Sequence, residues 1–172
     1  MQAMILAAGF GTRLLPYTKY LPKPLFPVLN TPLLLAAVNR LKNSGFSKII
    51  VNCHHLGEQI VNCLRDIPGV SVQQEEVILG TGGGLRRALD RLDDEPLLVV
   101  NGDIYHTIDV GELYHYHVQA EHAVTMAVHD CPRFNKITLK GQQISDFGGS
   151  RQDGEQLAYT GIQVINPELL LG

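Results

Sequence analysis

The chain has 172 residues, enough for one domain with a substantial core, and its composition is 45% apolar with a formal net charge of -3. That charge leaves no basic footprint for nucleic-acid binding, and no apolar run approaches the roughly 18 residues that read as a membrane span. The N-terminus lacks the basic region of a signal peptide, and Cys53, Cys63 and Cys131 form no Cys-x-x-Cys pair, which fits reduced thiols in a cytoplasmic protein.

The first predicted element is an apolar run from Met4 to Ala8, read as a buried strand. It breaks into Gly9 and Gly11, and cations follow at Arg13 and at Lys23, the latter set between Pro22 and Pro24. Glycines let backbone N–H groups close on a phosphate and the cations neutralise it, so this opening segment holds what a polyphosphate grip needs. Thr31, with Pro32 at the first helical position, is placed to cap a helix over Leu33–Asn43 whose face is Leu34, Ala37, Val38 and Leu41. A second strand is expected over Lys48–Cys53, a helix over Gly57–Asp66 with Ile60, Val61 and Leu64 as its stripe, and a third strand over Val70–Glu75.

Gly80–Gly84 reads as a second glycine-rich loop, followed by a helix over Leu85–Leu92. Pro96–Asp103 reads as a fourth strand ending in a carboxylate, and Val110–Ala120 as another helix. This alternation argues an α/β fold with a doubly wound, mostly parallel sheet. Beyond about residue 122 the rhythm changes to strands over 123–129, 136–139, 143–147 and 157–165, with turns at Lys140-Gly141 and Gly148-Gly149. The C-terminal third is therefore expected to be a β-rich antiparallel extension of the same sheet. No linker or repeat interrupts the chain, so 1–172 is expected to be a single domain.

In open α/β sheets, ligands bind outside the carboxyl ends of the strands. Three unusual segments fall there: Gly9–Arg13, Gly80–Gly84 and Asn101–Asp103. A lone carboxylate at Asp103 near a phosphate loop suits Mg²⁺, which takes few protein oxygens and shares its shell with phosphate and water. A helix N-cap is the alternative; on the strand alone the two weigh evenly, and the phosphate loop favours the metal. A nicotinamide oxidoreductase is disfavoured, because Gly9 and Gly11 lack the third glycine and the acidic residue about twenty positions on; the Gly-Lys-Ser/Thr of a P-loop is also absent. His54 and His55 end a strand, which lets one of them face the cleft, whereas His115, His117 and His122 have no metal spacing and read as structural or solvated.

At these residues the chain resembles the sugar-phosphate nucleotidyltransferases, which join a nucleoside triphosphate to a sugar-1-phosphate. Their opening signature Leu-Ala-Ala-Gly-x-Gly-Thr-Arg-Leu, then Pro-Lys-Pro, stands here at 6–14 and 22–24, and Leu79–Gly83, Asn101–Asp103 and Thr160–Ile165 follow in order. Within the family, Thr81–Gly84 and the compact C-terminal half look most like the small bacterial N-acetylmuramate-1-phosphate uridylyltransferases. The resemblance implies a Rossmann-like fold, with a nucleotide-binding half at 1–121 and a sugar-phosphate-binding half at 122–172. It also implies a Mg²⁺ cofactor, and nucleotide-sugar synthesis in the cytoplasm for the cell envelope. The implied partners are a sugar-1-phosphate and a nucleoside triphosphate, UTP before dTTP, GTP or CTP, and neither nucleic acid nor membrane.

The resemblance also implies roles. Ala8, Gly9 and Gly11 would hold the nucleotide's phosphates through their backbone, with Thr12 and Arg13 beside them. Lys23 would bridge the α-phosphate and the sugar phosphate, and Arg13, Lys23 and Asp103 would be the catalytic set, Asp103 as the metal ligand. Glu75 would read the base, Gly80, Thr81, Gly82 and Gly83 would form the wall under base and ribose, and Asn101, Gly148, Thr160 and Gly161 would lie near the sugar. Relatives continue past the equivalent of Gly172 and supply a second Asp or Asn for the metal near an Asp-x-Gly-Thr-Pro segment, which this sequence lacks. A shortened form of such an enzyme is therefore expected, with a non-catalytic nucleotide-binding module or an inactive fragment as the alternative.

Overall fold

Strand β1 (Gln2–Leu6) lies inside the parallel part of the sheet, buried over Gln2–Ile5, with parallel partners on both edges: β4 (Lys48–Cys53) on one side and β6 (Leu97–Asn101) on the other. The computed structural model describes residues 1–148 and 154–171. Strand β5 (Val70–Gln74) extends the parallel set beyond β4. On the other flank β10 (Glu155–Ile165) pairs antiparallel with β6, and β7 (Val124–His129), β8 (Ile137–Lys140) and β9 (Gln143–Phe147) complete the sheet around it. The sheet is mixed, with a parallel core and an antiparallel extension, as the change of rhythm beyond residue 122 led us to expect. A two-residue hairpin, β2 (Pro27–Val28) and β3 (Thr31–Pro32), stands apart from it.

The period-2 alternation of β1 divides the core in two. Ala3 and Ile5 pack with Leu34, Val38 and Leu41 of α1 (Leu33–Asn43), Ile60 and Leu64 of α2 (Gly57–Leu64), and Val110 and Tyr114 of α4 (Val110–Ala120). Met4 faces the other side, against Leu85 and Ala88 of α3 (Gly80–Ala88), with Ile50, Leu97 and Val99 from the flanking strands. Helices thus cover both faces. Among the described residues, no helix is long and apolar enough to cross a membrane.

Helix α1 has the expected bounds, but its expected cap does not form, and the start of α3 moves. Thr31 does not cap α1: its backbone is bridged to Val28 in the hairpin, and Pro32, in extended conformation, precedes the first helical residue. The glycine-rich segment is not a loop, since α3 begins at Gly80 and the glycines stand in its opening residues. Each glycine costs a helix about 1 kcal/mol relative to alanine, but Leu85 and Ala88 anchor the helix on the second core. The Gly148 half of the expected break ends β9, and Gly149 lies outside the described residues.

The register fixes one row across the sheet: Leu6 stands opposite both Asn52 and Asn101. Just beyond that row the first glycine loop, the end of β4 and the Gly102–Asp103 turn leave the sheet together. Gly161 of β10 approaches the same row: its φ is +88°, and a Cβ there would lie 2.7 Å from the Asn101 amide nitrogen.

Candidate active site

After β1 the chain makes short 3-10 turns at Thr12–Leu14, Tyr17–Lys19 and Lys23–Leu25. Gly11 makes the first reversal possible, with φ at +64°; a Cβ there would meet Thr18 Cγ2 at 2.8 Å and Lys23 Cβ at 3.3 Å. The buried Thr18 closes the loop by donating its hydroxyl to the Gly11 carbonyl at 3.1 Å. Folded back this way, the loop sets Arg13 and Lys23 on the same cavity.

That cavity, of about 300 Å³, is lined by Gly9, Gly11, Thr12, Arg13 and Lys23 from the loop, and by Asn101 and Asp103 from the end of β6. Lys23 Nζ donates to Asp103 Oδ2, and the two side chains are 28% and 33% exposed, so both remain open to solvent and solute. Asp103 does not cap a helix; Asp109 does, accepting from the N–H groups of Gly111 and Glu112 at 3.0 Å. Asp103 is thereby left to the cavity.

A second cavity of about 180 Å³ adjoins the first and shares Leu6 and Gly9 with it; Ala8, Asn52, Ile78, Gly80 and Thr81 complete its lining. A Cβ at Gly9 or Gly82 would meet nothing within 4 Å. Packing inside the protein therefore does not require glycine at either position, and the bare backbone faces open space.

Some of the expected residues line the first cavity, some the second, and six line neither. Gly9, Gly11, Thr12, Arg13, Lys23, Asn101 and Asp103 line the first cavity, and Ala8, Gly9, Gly80 and Thr81 the second. Gly82 and Gly83 follow Thr81 in the first turn of α3 and line neither cavity. Glu75 is 2% exposed and lines neither cavity: Oε1 accepts from Asn52 Nδ2 at 2.9 Å and Oε2 from the Leu79 N–H at 3.1 Å. Gly148, Thr160 and Gly161 line neither as well; Thr160 donates to the Ala127 carbonyl at 2.8 Å, and Gly148 donates its N–H to the Lys136 carbonyl.

The histidine pair turns away from the cavities. His54 Nδ1 bonds the Glu75 carbonyl at 2.8 Å and His55 Nε2 the Thr18 carbonyl, while the Phe10 ring stands edge-on to His54 at 5.4 Å. The pair props the first loop against the end of β5. His117 is structural, as its spacing suggested: it is buried, with Nδ1 bonded to the Thr125 hydroxyl and Nε2 to Asn166 Oδ1. Cys53 is core, and burial, with a smaller push from the Glu75 charge, raises its thiol to about 11, which keeps it inert.

Sequence reasoning missed Asn52 and Thr18. Asn52 carried a signal, a polar residue near the end of an otherwise apolar strand, but its partners come from two other segments.

The protein is of the α/β class, with a doubly wound sheet whose carboxyl edge, where such folds bind their ligands, gathers a glycine loop, two cations and a carboxylate. The family model for nucleotidyl transferases matches residues 2–136, and the chain belongs to that family. It is 44% identical over 114 residues to the N-acetylmuramate alpha-1-phosphate uridylyltransferase of Neisseria meningitidis serogroup B, covering 63% of this chain and 49% of that protein. It is 35% identical over 125 residues to mannose-1-phosphate guanylyltransferase 1 of Arabidopsis thaliana, covering 68% of this chain and 35% of that one. The chain thus spans about half or less of the length of these curated relatives. Its fold matches that of HddC from Yersinia pseudotuberculosis complexed with GMP-PN, with a TM-score of 0.83 at 21% identity over 98% of this chain and 78% of that one.

Proposed function

We propose that the chain binds a nucleoside triphosphate and a sugar-1-phosphate and joins them into a nucleotide sugar with release of pyrophosphate. The observation that carries this reading is the convergence of Arg13, Lys23 and Asp103 on one cavity that opens beside a second, largely apolar one. The base and ribose belong in the second cavity, over Ala8, Gly9, Gly80 and Thr81. The phosphates run along the backbone of Gly9–Arg13, with the sugar phosphate meeting the α-phosphate at Lys23.

The chemistry follows from charge. The nucleophile is a sugar-phosphate oxygen, mostly ionised at pH 7 because the second phosphate pKa is about 6, so no general base is required. One anion must attack another, and Lys23 supports that approach by neutralising both phosphates where they meet. The new bond joins the sugar-phosphate oxygen to the α-phosphorus in line with the bond that breaks, and pyrophosphate leaves on the Arg13 side. Asp103 fits a Mg²⁺ ion as a protein ligand: it is the carboxylate lining the first cavity, and it is a third exposed. An ion held that way would take its other oxygens from phosphate and water, and would supply charge neutralisation on the transferring group.

The relative at 44% identity favours UTP and N-acetylmuramate-1-phosphate as the first pair to test. The reaction belongs in the cytoplasm, a compartment that the free cysteines Cys53, Cys63 and Cys131 support. Pyrophosphate release, measured with UTP, dTTP, GTP or CTP against a panel of sugar-1-phosphates in Mg²⁺, should be strongest for a uridylyl transfer. Triphosphate binding with no turnover for any pair would overturn the enzyme reading in favour of a nucleotide-binding module, a role consistent with a cavity that presents a single carboxylate.

A further inference from the structure

Beneath the second cavity runs a buried polar bridge that the proposed chemistry does not use. Asn52 and Glu75 are 3% and 2% exposed. Asn52 Oδ1 accepts from the Ala7 N–H at 2.8 Å, Asn52 Nδ2 donates to Glu75 Oε1 at 2.9 Å, and Glu75 Oε2 accepts from the Leu79 N–H at 3.1 Å. A backbone N–H can only donate, so Ala7 fixes the Asn52 oxygen on its side and turns the amide NH₂ toward the carboxylate. Ala7 adjoins Ala8 of one cavity wall, and Leu79 adjoins Gly80 of the other. Three hydrogen bonds therefore tie the two walls together across three separate segments of chain. The backbone of α3 presses on the same point: a Cβ at Gly84 would lie 2.9 Å from Asn52 Nδ2 and 3.0 Å from Glu75 Oε1.

We infer that Asn52 and Glu75 are positioning residues that set the spacing of the two walls, and with it the fit of the nucleoside. Glu75 does not read the base, because both of its oxygens are engaged within the protein. Base recognition falls to the Thr81 hydroxyl and to the main chain of the walls. This rests on the nucleotide reading of the second cavity.

The direction of each hydrogen bond supplies the test. Asn52→Asp sets two carboxylates face to face, and Glu75→Gln turns an NH₂ group toward another donor, either the Leu79 N–H or the Asn52 amide. In the double variant N52D/E75Q every donor again meets an acceptor: aspartate accepts from Ala7 and from the glutamine NH₂, and the glutamine oxygen accepts from Leu79. Calorimetric titration of the full chain uses the triphosphate that wild type binds most tightly among UTP, dTTP, GTP and CTP, with inorganic pyrophosphate as a second probe. Each single variant should bind the triphosphate roughly tenfold more weakly, the scale of one mispaired buried group, and the double variant should recover to within about threefold of wild type. Pyrophosphate binding, which needs the Arg13 and Lys23 side of the site, should stay within about threefold throughout. Should a single variant not fold, Gly84→Ala takes its place, pushing on the bridge from the helix side with the same expected loss. Wild-type affinity in the folded single variants, absence of recovery in the double variant, or a parallel loss of pyrophosphate binding overturns the inference. A change of preferred base caused by Glu75→Gln and kept in the double variant does so too, since it makes Glu75 a base reader. A wild-type protein that binds no triphosphate overturns the nucleotide reading and the inference with it, whereas the other outcomes overturn the inference alone.

Discussion

Lys23 is held from both sides. Pro22 and Pro24 are buried, the Gly11 turn closes against its Cβ, and its ammonium meets Asp103 across a separation of 80 residues. A lysine fixed at its base and partly exposed at its tip suits a stabiliser that must wait where two phosphates converge. Lys23→Ala should lower turnover by roughly 10²- to 10³-fold, the scale for loss of one electrostatic stabiliser. Steady-state pyrophosphate release checks this, and turnover within about threefold of wild type would remove Lys23 from the mechanism. Gly11 is tested differently. Its +64° φ is costly for any residue with a Cβ, and that Cβ would sit 2.8 Å from Thr18 Cγ2. Gly11→Ala should lose about 1–2 kcal/mol of stability from the backbone term alone, with a further loss from the clash, read as a lower denaturation midpoint. An unchanged midpoint would mean the loop reverses without the left-handed turn.

At the scale of elements, α3 joins stability and binding in opposite directions. Gly82 has open space where a Cβ would go and no left-handed φ, so alanine there suits the helix. Gly82→Ala should raise the unfolding free energy by roughly 0.5–1 kcal/mol in urea denaturation while weakening triphosphate binding. A stabilised variant with unchanged affinity would take Gly82 out of the wall under the nucleoside. The same helix marks where the sequence was misleading. The strands and the residues just past their ends were legible, because apolar runs and local motifs bring Gly9, Arg13, Lys23 and Asp103 to one edge without long-range information. The start of α3 was not, because glycine propensity argues for a loop and the packing of Leu85 and Ala88 that overrides it lies on another layer. The Glu75 pairing was hidden for a related reason: Asn52 is 23 residues away and meets it only through the β4–β5 register. The Thr160 hydrogen bond was hidden as well, because which neighbour its hydroxyl meets depends on the pairing of β10 with β7.

Across the whole molecule the candidate site stands above the core at one edge of the sheet, so the groups that govern stability against pH are largely separate from those proposed for chemistry. Cys53 is fully buried between β4 and α2, and burial raises its thiol from 9.0 to about 11. Burial, with a smaller contribution from the Glu95 charge, raises Tyr114 to about 12, and its hydroxyl donates to the Pro96 carbonyl at 3.0 Å. Both groups hold their protons more tightly folded than unfolded. Above about pH 9 the unfolded chain releases the thiol proton while the folded protein keeps it, so stability is fully present below that pH and falls as pH rises toward 11. For Cys53 the loss is on the order of 2–3 kcal/mol across that window, and Tyr114 adds a fall of the same sign from about pH 10. Unfolding free energies at pH 8.5 and pH 11 should therefore diverge more in wild type than in Cys53→Ala, which removes the thiol and its linked proton. Equal losses in the two proteins would mean that the thiol ionises in the folded state as readily as in the unfolded chain, and that the packing between β4 and α2 opens to water.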